Sequence, residues 1–314
     1  LAAAFAPAAA MAQGDYPSRP INLIVPFSPG GTTDIIGRLI ASGLEEELGQ
    51  PIAVENRAGA GATVGSAVAA SADPDGYTLL LSNSASHGVS PAVYSNLPYD
   101  PVADFDHIAL LGQVPQYLIA RNSLGIDTID GLIDEARAHE GEFNIGTAGE
   151  GSMGHLASEL LMMEAKIDMA LIPYKGTAGA TQGLLSGEVD IVFSNPPSAR
   201  PLVDADEVKL LATTGEKQEE AYPDVPTFRD SGMPDFVTYA WYGLSAPAGT
   251  PDEIVQKLNE SVLNVLEDEE LQGRLRELGV TIPPPYSPQE FTDFVERNVK
   301  SFSAIADAAG IHLD

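Results

Sequence analysis

Two short stretches gather the residue types that can do chemistry: VPFSPGGTTD at 25–34 and TAGEGSMG at 147–154. In each, an apolar run that reads as a strand stops at a glycine-rich turn, and hydroxyl residues then open a segment of helical apolar spacing. A helix start leaves about four backbone N–H groups without helical partners, and the helix dipole places roughly half a positive charge there. Glycine lets a ligand approach that backbone closely. A strand, a glycine turn and a helix start together make a seat for an anion. The candidates are Gly30, Gly31, Thr32 and Thr33 in the first stretch and Gly149, Gly151 and Ser152 in the second, with Thr32 or Thr33 and Ser152 as helix caps. Two such seats, one on each half of the chain, can close on a single anion.

The absent residues narrow the anion. A nucleotide-binding P-loop needs G-x-x-x-x-G-K-[ST], and neither stretch has the lysine. The nearest approach to G-x-G-x-x-G, Gly59 to Gly65, is one residue too long and does not follow a clear strand closely. Polyphosphates are therefore disfavoured, and a carboxylate, which amides and hydroxyls alone can hold, is the natural fit. Other residues have ordinary readings beside functional ones. Asp34 suits the first turn of a helix through the dipole. Thr147, Thr177 and Asn195 can be spent on local hydrogen bonds, His87 and His155 on structure, and Trp241 and Tyr242 on hinge or core packing. Catalytic constellations are poor. EGSMG has Glu150 where G-x-S-x-G needs glycine, His155 and Glu159 form no zincin motif, and the five histidines lack metal-ligand spacing. No nucleophile with its base is visible, so neither an enzyme nor a cofactor or metal is expected.

The elements that must position these residues alternate along the chain. An apolar strand at 21–27 precedes a helix in which Ile35, Ile36, Leu39, Ile40, Leu44 and Leu48 recur at spacings of three and four, with Gly49 to end it. Further strands are expected at 52–55, 78–82, 108–112 and 116–120, with helical segments between the first few. This pattern predicts a doubly wound, parallel α/β sheet. The device repeats: a strand at 143–147, a helix with Met153, Leu156, Ala157, Leu160 and Leu161 on one face, then strands at 169–172, 189–193 and 208–212. Apolar and aromatic residues return at 236–251, a helix is expected over 252–266, IPPPYSP at 282–288 breaks the chain, and a last helix runs over 288–308. If these C-terminal helices return to the first lobe, the chain crosses between lobes near 112–120 and 236–246. The result is a hinged clam of 15–117 plus 238–314 against 118–237.

The chain has 314 residues, 44% of them apolar, enough for a sizeable core. Its net charge of −29, from 45 acidic against 16 basic residues, argues against nucleic acid and against anionic membranes as partners. The bland reading is a solvated acidic surface of the kind suited to salt. At a screening length of about 8 Å, a local site can outweigh that distant surface. There is no cysteine, which excludes disulfides, thiol nucleophiles and cysteine-ligated metals. No uninterrupted apolar run reaches the roughly 18 residues of a membrane span. Residues 1–14, LAAAFAPAAAMAQG, are alanine-rich and uncharged and contain Ala10-Met11-Ala12, the pattern of a signal-peptide remnant cut near Ala12. A soluble, exported protein is expected.

Several blocks in one order resemble a known family, the periplasmic solute-binding receptors of tripartite tricarboxylate transporters, also called Bug receptors. They include YPSRPINLIVPFSPGGTTD at 16–34, QPIAVENRAGAGATVGS at 50–66, LPYDPVADF at 97–105, GTAGEGSMGHLASE at 146–159, IPYKGTAGA at 172–180 and WYGLSAPAGTP at 241–251. The resemblance covers nearly the whole chain after the leader. It implies a two-lobe periplasmic-binding-protein fold, the type II Venus flytrap, each lobe a doubly wound, mainly parallel α/β sheet. It also implies a periplasmic monomer that takes up a di-, tri- or aromatic carboxylate for large and small membrane subunits. The implied pincers are Phe27–Asp34 and Thr147–Ser152. The implied remaining lining is Ser84, Ser86 and His87, then Tyr174, Gly176 and Thr177, and Asn195. Two rival classes stay open on the residues alone: a sensor receptor of the same fold, and a secreted hydrolase.

Overall fold

The structure is a computed structural model that describes residues 16–313. The leader and the cut near Ala12 lie outside the described residues. The chain begins with β1 (Ile21–Val25), α1 (Thr32–Leu48), β2 (Ile52–Asn56), α2 (Thr63–Ala70), β3 (Thr78–Asn83), the single turn α3 (Ser90–Val93) and β4 (Phe105–Pro115). It crosses to a second sheet through β5 (Tyr117–Arg121), α4 (Ile129–Ala138), β6 (Asn144–Thr147), α5 (Met153–Ala165), β7 (Ala170–Pro173), α6 (Thr177–Ser186), β8 (Ile191–Ser194), α7 (Pro196–Asp204) and β9 (Val208–Thr213). It then returns through β10 (Tyr239–Pro247), α8 (Asp252–Glu267), α9 (Glu269–Glu277) and α10 (Pro288–Ala309).

The two sheets have the same plan, in orders β2-β1-β3-β10-β4 and β7-β6-β8-β5-β9. Within each, the first three strands are parallel, and β10 or β5 runs antiparallel to both of its neighbours. Four strands of five thus share one direction. The reversed strand is in each case the one that enters from the other lobe, so it starts at the end where the others finish. Ile21, Leu23 and Val25 pack with Ile36, Ile40 and Leu44 of α1 in the first core, which α8 and α10 close by packing on β4. Leu118, Ile145, Leu161, Ile191 and Phe193 anchor the second.

Local chemistry sets the helix ends. Gly49, at φ +65°, closes α1 in the left-handed region. Ser287 and Glu290 form a reciprocal capping box at the start of α10. The helix α9 escapes the reading from periodicity, because only Leu271 and Leu275 of its nine residues are buried and the rest are mostly charged or polar. Asp268 caps it by accepting the Leu271 N–H at 2.7 Å. Among the described residues, no helix is long and apolar enough to cross a membrane.

The lobes join where Thr214 is tied to both crossing segments. Its N–H donates to Gln116 O at 2.9 Å and its carbonyl accepts the Thr238 N–H at 3.1 Å. Its hydroxyl accepts the Gln116 N–H at 2.8 Å and donates to Thr238 O at 2.6 Å. One buried threonine therefore fastens the outgoing strand to the returning one.

Candidate functional site

The turn after β1 is organised by Asp34. Its carboxylate accepts the Gly30 N–H at 3.0 Å, the Arg38 Nε–H at 3.0 Å and an Asn56 Nδ2–H at 2.9 Å. Burial raises its pKa, but the hydrogen bonds from Arg38, Gly30 and Asn56 outweigh that and hold it below the usual carboxylate value. Asp34 is therefore a brace of the loop, and it occupies the very N–H of Gly30 that the sequence offers to a ligand. The cap of α1 is Gly31, not Thr32 or Thr33, with no side-chain bond; its carbonyl accepts the Ile35 N–H. The amides of Thr32, Thr33 and Asp34 head the helix.

The turn after β6 is built alike. Ser152 caps α5 by accepting the His155 N–H at 3.2 Å, while His155 Nδ1 accepts the Gly151 N–H at 3.0 Å. Thr147 Oγ1 accepts from Gly149 N–H at 3.4 Å. The amides heading α5 are those of Met153 and Gly154. A third helix start arrives with α6, capped by Gly176 at φ +137° and beginning at Thr177. A fourth, α7, is capped by Asn195. Pro196 and Pro197 follow, so α7 brings its dipole without its first two N–H groups.

These starts converge on one cavity between the lobes, of about 30 Å³. The first lobe supplies Phe27, Thr33, Asn83, Ser84, Ala85, Ala240 and Tyr242. The second supplies Ala148, Ser152, Met153, Gly154, Thr177, Phe193 and Asn195, and Gln116 of the crossing lies between. None of these side chains is ionised at neutral pH. Asn195 donates from Nδ2 to Tyr242 Oη at 2.8 Å across the lobes, and burial pushes the Tyr242 hydroxyl far above its ordinary pKa, keeping it neutral.

Of the residues expected to line a site, Phe27, Thr33, Ser84, Ser152, Thr177 and Asn195 reach this cavity. The others are placed elsewhere. Ser86 and His87 lie beneath the wall, wholly buried. Asn83 Oδ1 accepts the N–H groups of Ala85 and Ser86 and turns the chain inward. His87 Nδ1 bonds Ser86 Oγ at 2.8 Å, and its ring packs among Tyr99, Phe105, His107 and Trp241. Tyr174 lies along α6, over Gly179 and Gly183.

The glycines and Thr32 mark the seam between the lobes. A Cβ at Gly31 would lie 3.7 Å from Ala178 N, one at Gly176 3.6 Å from Ser28 N, and one at Gly151 3.0 Å from Ser90 Oγ. A Cβ at Gly149 would lie 3.6 Å from Gly61 N, and one at Gly61 would fall on Glu150 O. Hydrogen bonds stitch the same seam: Ser28 Oγ to Lys175 O at 2.7 Å, and Thr32 Oγ with Ser198 Oγ at 2.7 Å. At the far side, Arg200 of α7 donates to the carbonyls of Arg276 and Glu277 at the end of α9, at 3.3 and 2.8 Å. Met153 and Leu156 of α5 pack into the first lobe's core. Sequence reading passes over Gln116 and the amides of Met153 and Gly154 as site groups, and it ranks a cleft-wall role for Tyr242 second to hinge or core packing. Gln116 did leave a signal, as a lone polar residue inside the apolar run VPQYLIA.

Fold and site together define a two-lobe protein of the solute-binding class. The receptor family of the tripartite tricarboxylate transporters, TctC, matches residues 36–311. BugT of Bordetella pertussis is 33% identical over 307 residues, covering 98% of this chain and 94% of the relative. Among solved structures, the periplasmic binding protein BugD superposes with a TM-score of 0.92 at 33% identity, covering 95% of this chain and 99% of that one. MatC from Rhodopseudomonas palustris with bound malate gives 0.89 at 34%, covering 92% and 99%. An R. palustris protein with adipate gives 0.91 at 35%, covering 95% and 99%. The chain belongs to the tripartite tricarboxylate transporter receptor family.

Proposed function

We propose that this protein is a periplasmic receptor that captures a small carboxylate between its lobes and delivers it to the large and small membrane subunits of a tripartite transporter. The observation that carries the proposal is the convergence of the α1, α5 and α6 starts on one cavity between the lobes without an ionised wall residue. Amides of Thr33, Met153, Gly154 and Thr177, with the hydroxyls of Thr33, Ser84, Ser152 and Thr177, offer donors enough for a carboxylate. The di- and tricarboxylates, and aromatic carboxylates, are the ligand classes. The lobes are 15–117 plus 238–314 and 118–237, and they flex where Thr214 ties Gln116 to Thr238. Closure adds the seam contacts of Ser28, Thr32 and Arg200, so ligand binding and the closed surface are linked. The protein binds and releases; no residue is assigned to turnover.

A thermal-shift screen of mono-, di-, tri- and aromatic carboxylates on the purified protein tests this. A ligand at 100 times its dissociation constant adds about 2.7 kcal/mol to stability. Only cations or neutral sugars raising the melting temperature would overturn the proposal.

A further inference from the structure

The donors around the cavity suit a carboxylate, but the wall also carries acceptors that a carboxylate cannot satisfy. Gln116 is 2% exposed and lines the cavity, and its Oε1 has no hydrogen-bond partner. Its backbone is held on both sides by Thr214, through its N–H and its carbonyl, so the side chain alone is left to face the ligand. Asn195 Oδ1, which belongs to another residue of the cavity lining, is also buried and unpartnered, while its Nδ2 is spent on Tyr242. A buried carbonyl oxygen left without a donor costs about 1–3 kcal/mol. Neither amide oxygen gains anything from a second anionic oxygen. Each needs a donor, and a ligand hydroxyl supplies one while still accepting from the donors nearby.

Building on the carboxylate reading, we infer that Gln116 is a specificity-determining residue and that the ligand is a hydroxycarboxylate. Its carboxylate sits at the helix starts, and its hydroxyl donates to Gln116 Oε1, with Asn195 Oδ1 as the second acceptor. A site built to bond a hydroxyl discriminates against the analogue lacking it, because the protein acceptor is then buried unpaired. This places the chain with the malate of the MatC complex, which carries a hydroxyl, and apart from adipate, which does not.

Calorimetric titration with matched pairs tests the inference: malate against succinate, and lactate against propionate. In the wild type, the hydroxylated member of a pair binds about tenfold tighter, the ratio one satisfied acceptor supplies. In Gln116→Leu, and in the more flexible Gln116→Met, that ratio falls below about threefold, because no buried Gln116 acceptor is then left unpaired by succinate or propionate. Equal binding of both members by the wild type overturns the hydroxyl assignment and leaves the carboxylate reading intact. Equal losses for both members in the variants also overturn it, because Gln116 then serves the crossing and not the ligand. Failure of all four acids while a carboxylate without a hydroxyl binds overturns the hydroxyl assignment alone, and binding of only cations or neutral sugars removes the carboxylate reading itself.

Discussion

Gly61 is the most direct test of whether the lip glycines serve the seam. It belongs to the first lobe, at φ +59°, and an added Cβ would land on the Glu150 carbonyl oxygen of the second lobe, 3.2 Å from Gly151 C. That oxygen would be about 1 Å inside ordinary contact distance, so Gly61→Ala holds the lobes apart by a similar amount. The bonds from Ser28 to Lys175 O and between Thr32 and Ser198, both 2.7 Å, stretch beyond use. At about 1 kcal/mol each, their loss raises the dissociation constant roughly 30-fold. The methyl group also costs about 1–2 kcal/mol in the left-handed region, but that strain lies within one lobe. It is present open and closed, so it lowers the melting temperature without entering the affinity.

Gly49→Ala separates the two effects. It has φ +65° and no heavy atom within 4 Å of its Cβ, so it suffers the strain alone. Calorimetric titration with malate, and small-angle scattering with and without it, provide the readout. Both variants lose comparable melting temperature, and only Gly61→Ala loses affinity and the ligand-induced decrease in radius of gyration. An affinity for Gly61→Ala within twofold of that for Gly49→Ala would show that the contact does not gate closure.

Three further outcomes follow from named groups. Burial, then neighbouring His107, holds His87 well below 6.5, and burial brings His107 to about 4 despite its bond to Pro101 O. Unfolded histidines take up protons first, so the stability due to this pair is complete above pH 6.5 and is lost as pH falls toward 4; His107→Gln flattens that slope in urea titrations, and an unchanged slope refutes it. The Asp34 carboxyl is depressed below 3.8, so its contribution is present above that pH and lost as pH falls through the folded value. Asp34→Asn is thus destabilised at pH 7, and the gap to wild type narrows as pH falls below 3.8; a gap that does not narrow in acid counts against the brace. Arg200→Ala leaves Glu219, its partner at 2.7 Å, and the end of α9 unpaired. It should unfold about 3 kcal/mol more easily, because a mostly buried charge loses its partner; a loss under 1 kcal/mol in denaturant would refute that.

The strand–turn–helix units were legible because apolar periodicity changes abruptly at 28–31 and 148–152, where glycine and hydroxyl residues replace apolar ones. Their purpose was less legible. Glycine signals that something approaches the backbone closely, but not what, and at Gly61, Gly149 and Gly176 the other lobe is a near neighbour. The run SNSASH reads as a polar loop because most of its side chains are polar. The fold buries it by bonding Asn83 to Ser86 and Ser86 to His87 Nδ1, a pairing that no one-dimensional pattern records. Gln116 stands out in the sequence only as a lone polar residue in an apolar run, and its importance comes from the crossing geometry at Thr214.

The proposed carboxylate site also raises the question of how a chain of net charge −29 would hold an anion without a cationic wall. An arginine in the cleft would have to be desolvated each time the lobes closed, and buried charge is costly unless paired. Arg200, at the far side of the seam, is paired with Glu219 and bonded to carbonyls of α9. Helix starts give a field of fixed direction at smaller desolvation cost, and that field fades within the first turn. It therefore acts on a ligand in contact and hardly on one outside. The surface acids act through screened solvent, over about 8 Å. On the proposed reading, distance separates the two influences: the surface sets how an anion is met in solution, and the amides of α1, α5 and α6 set how firmly it is held once the lobes meet.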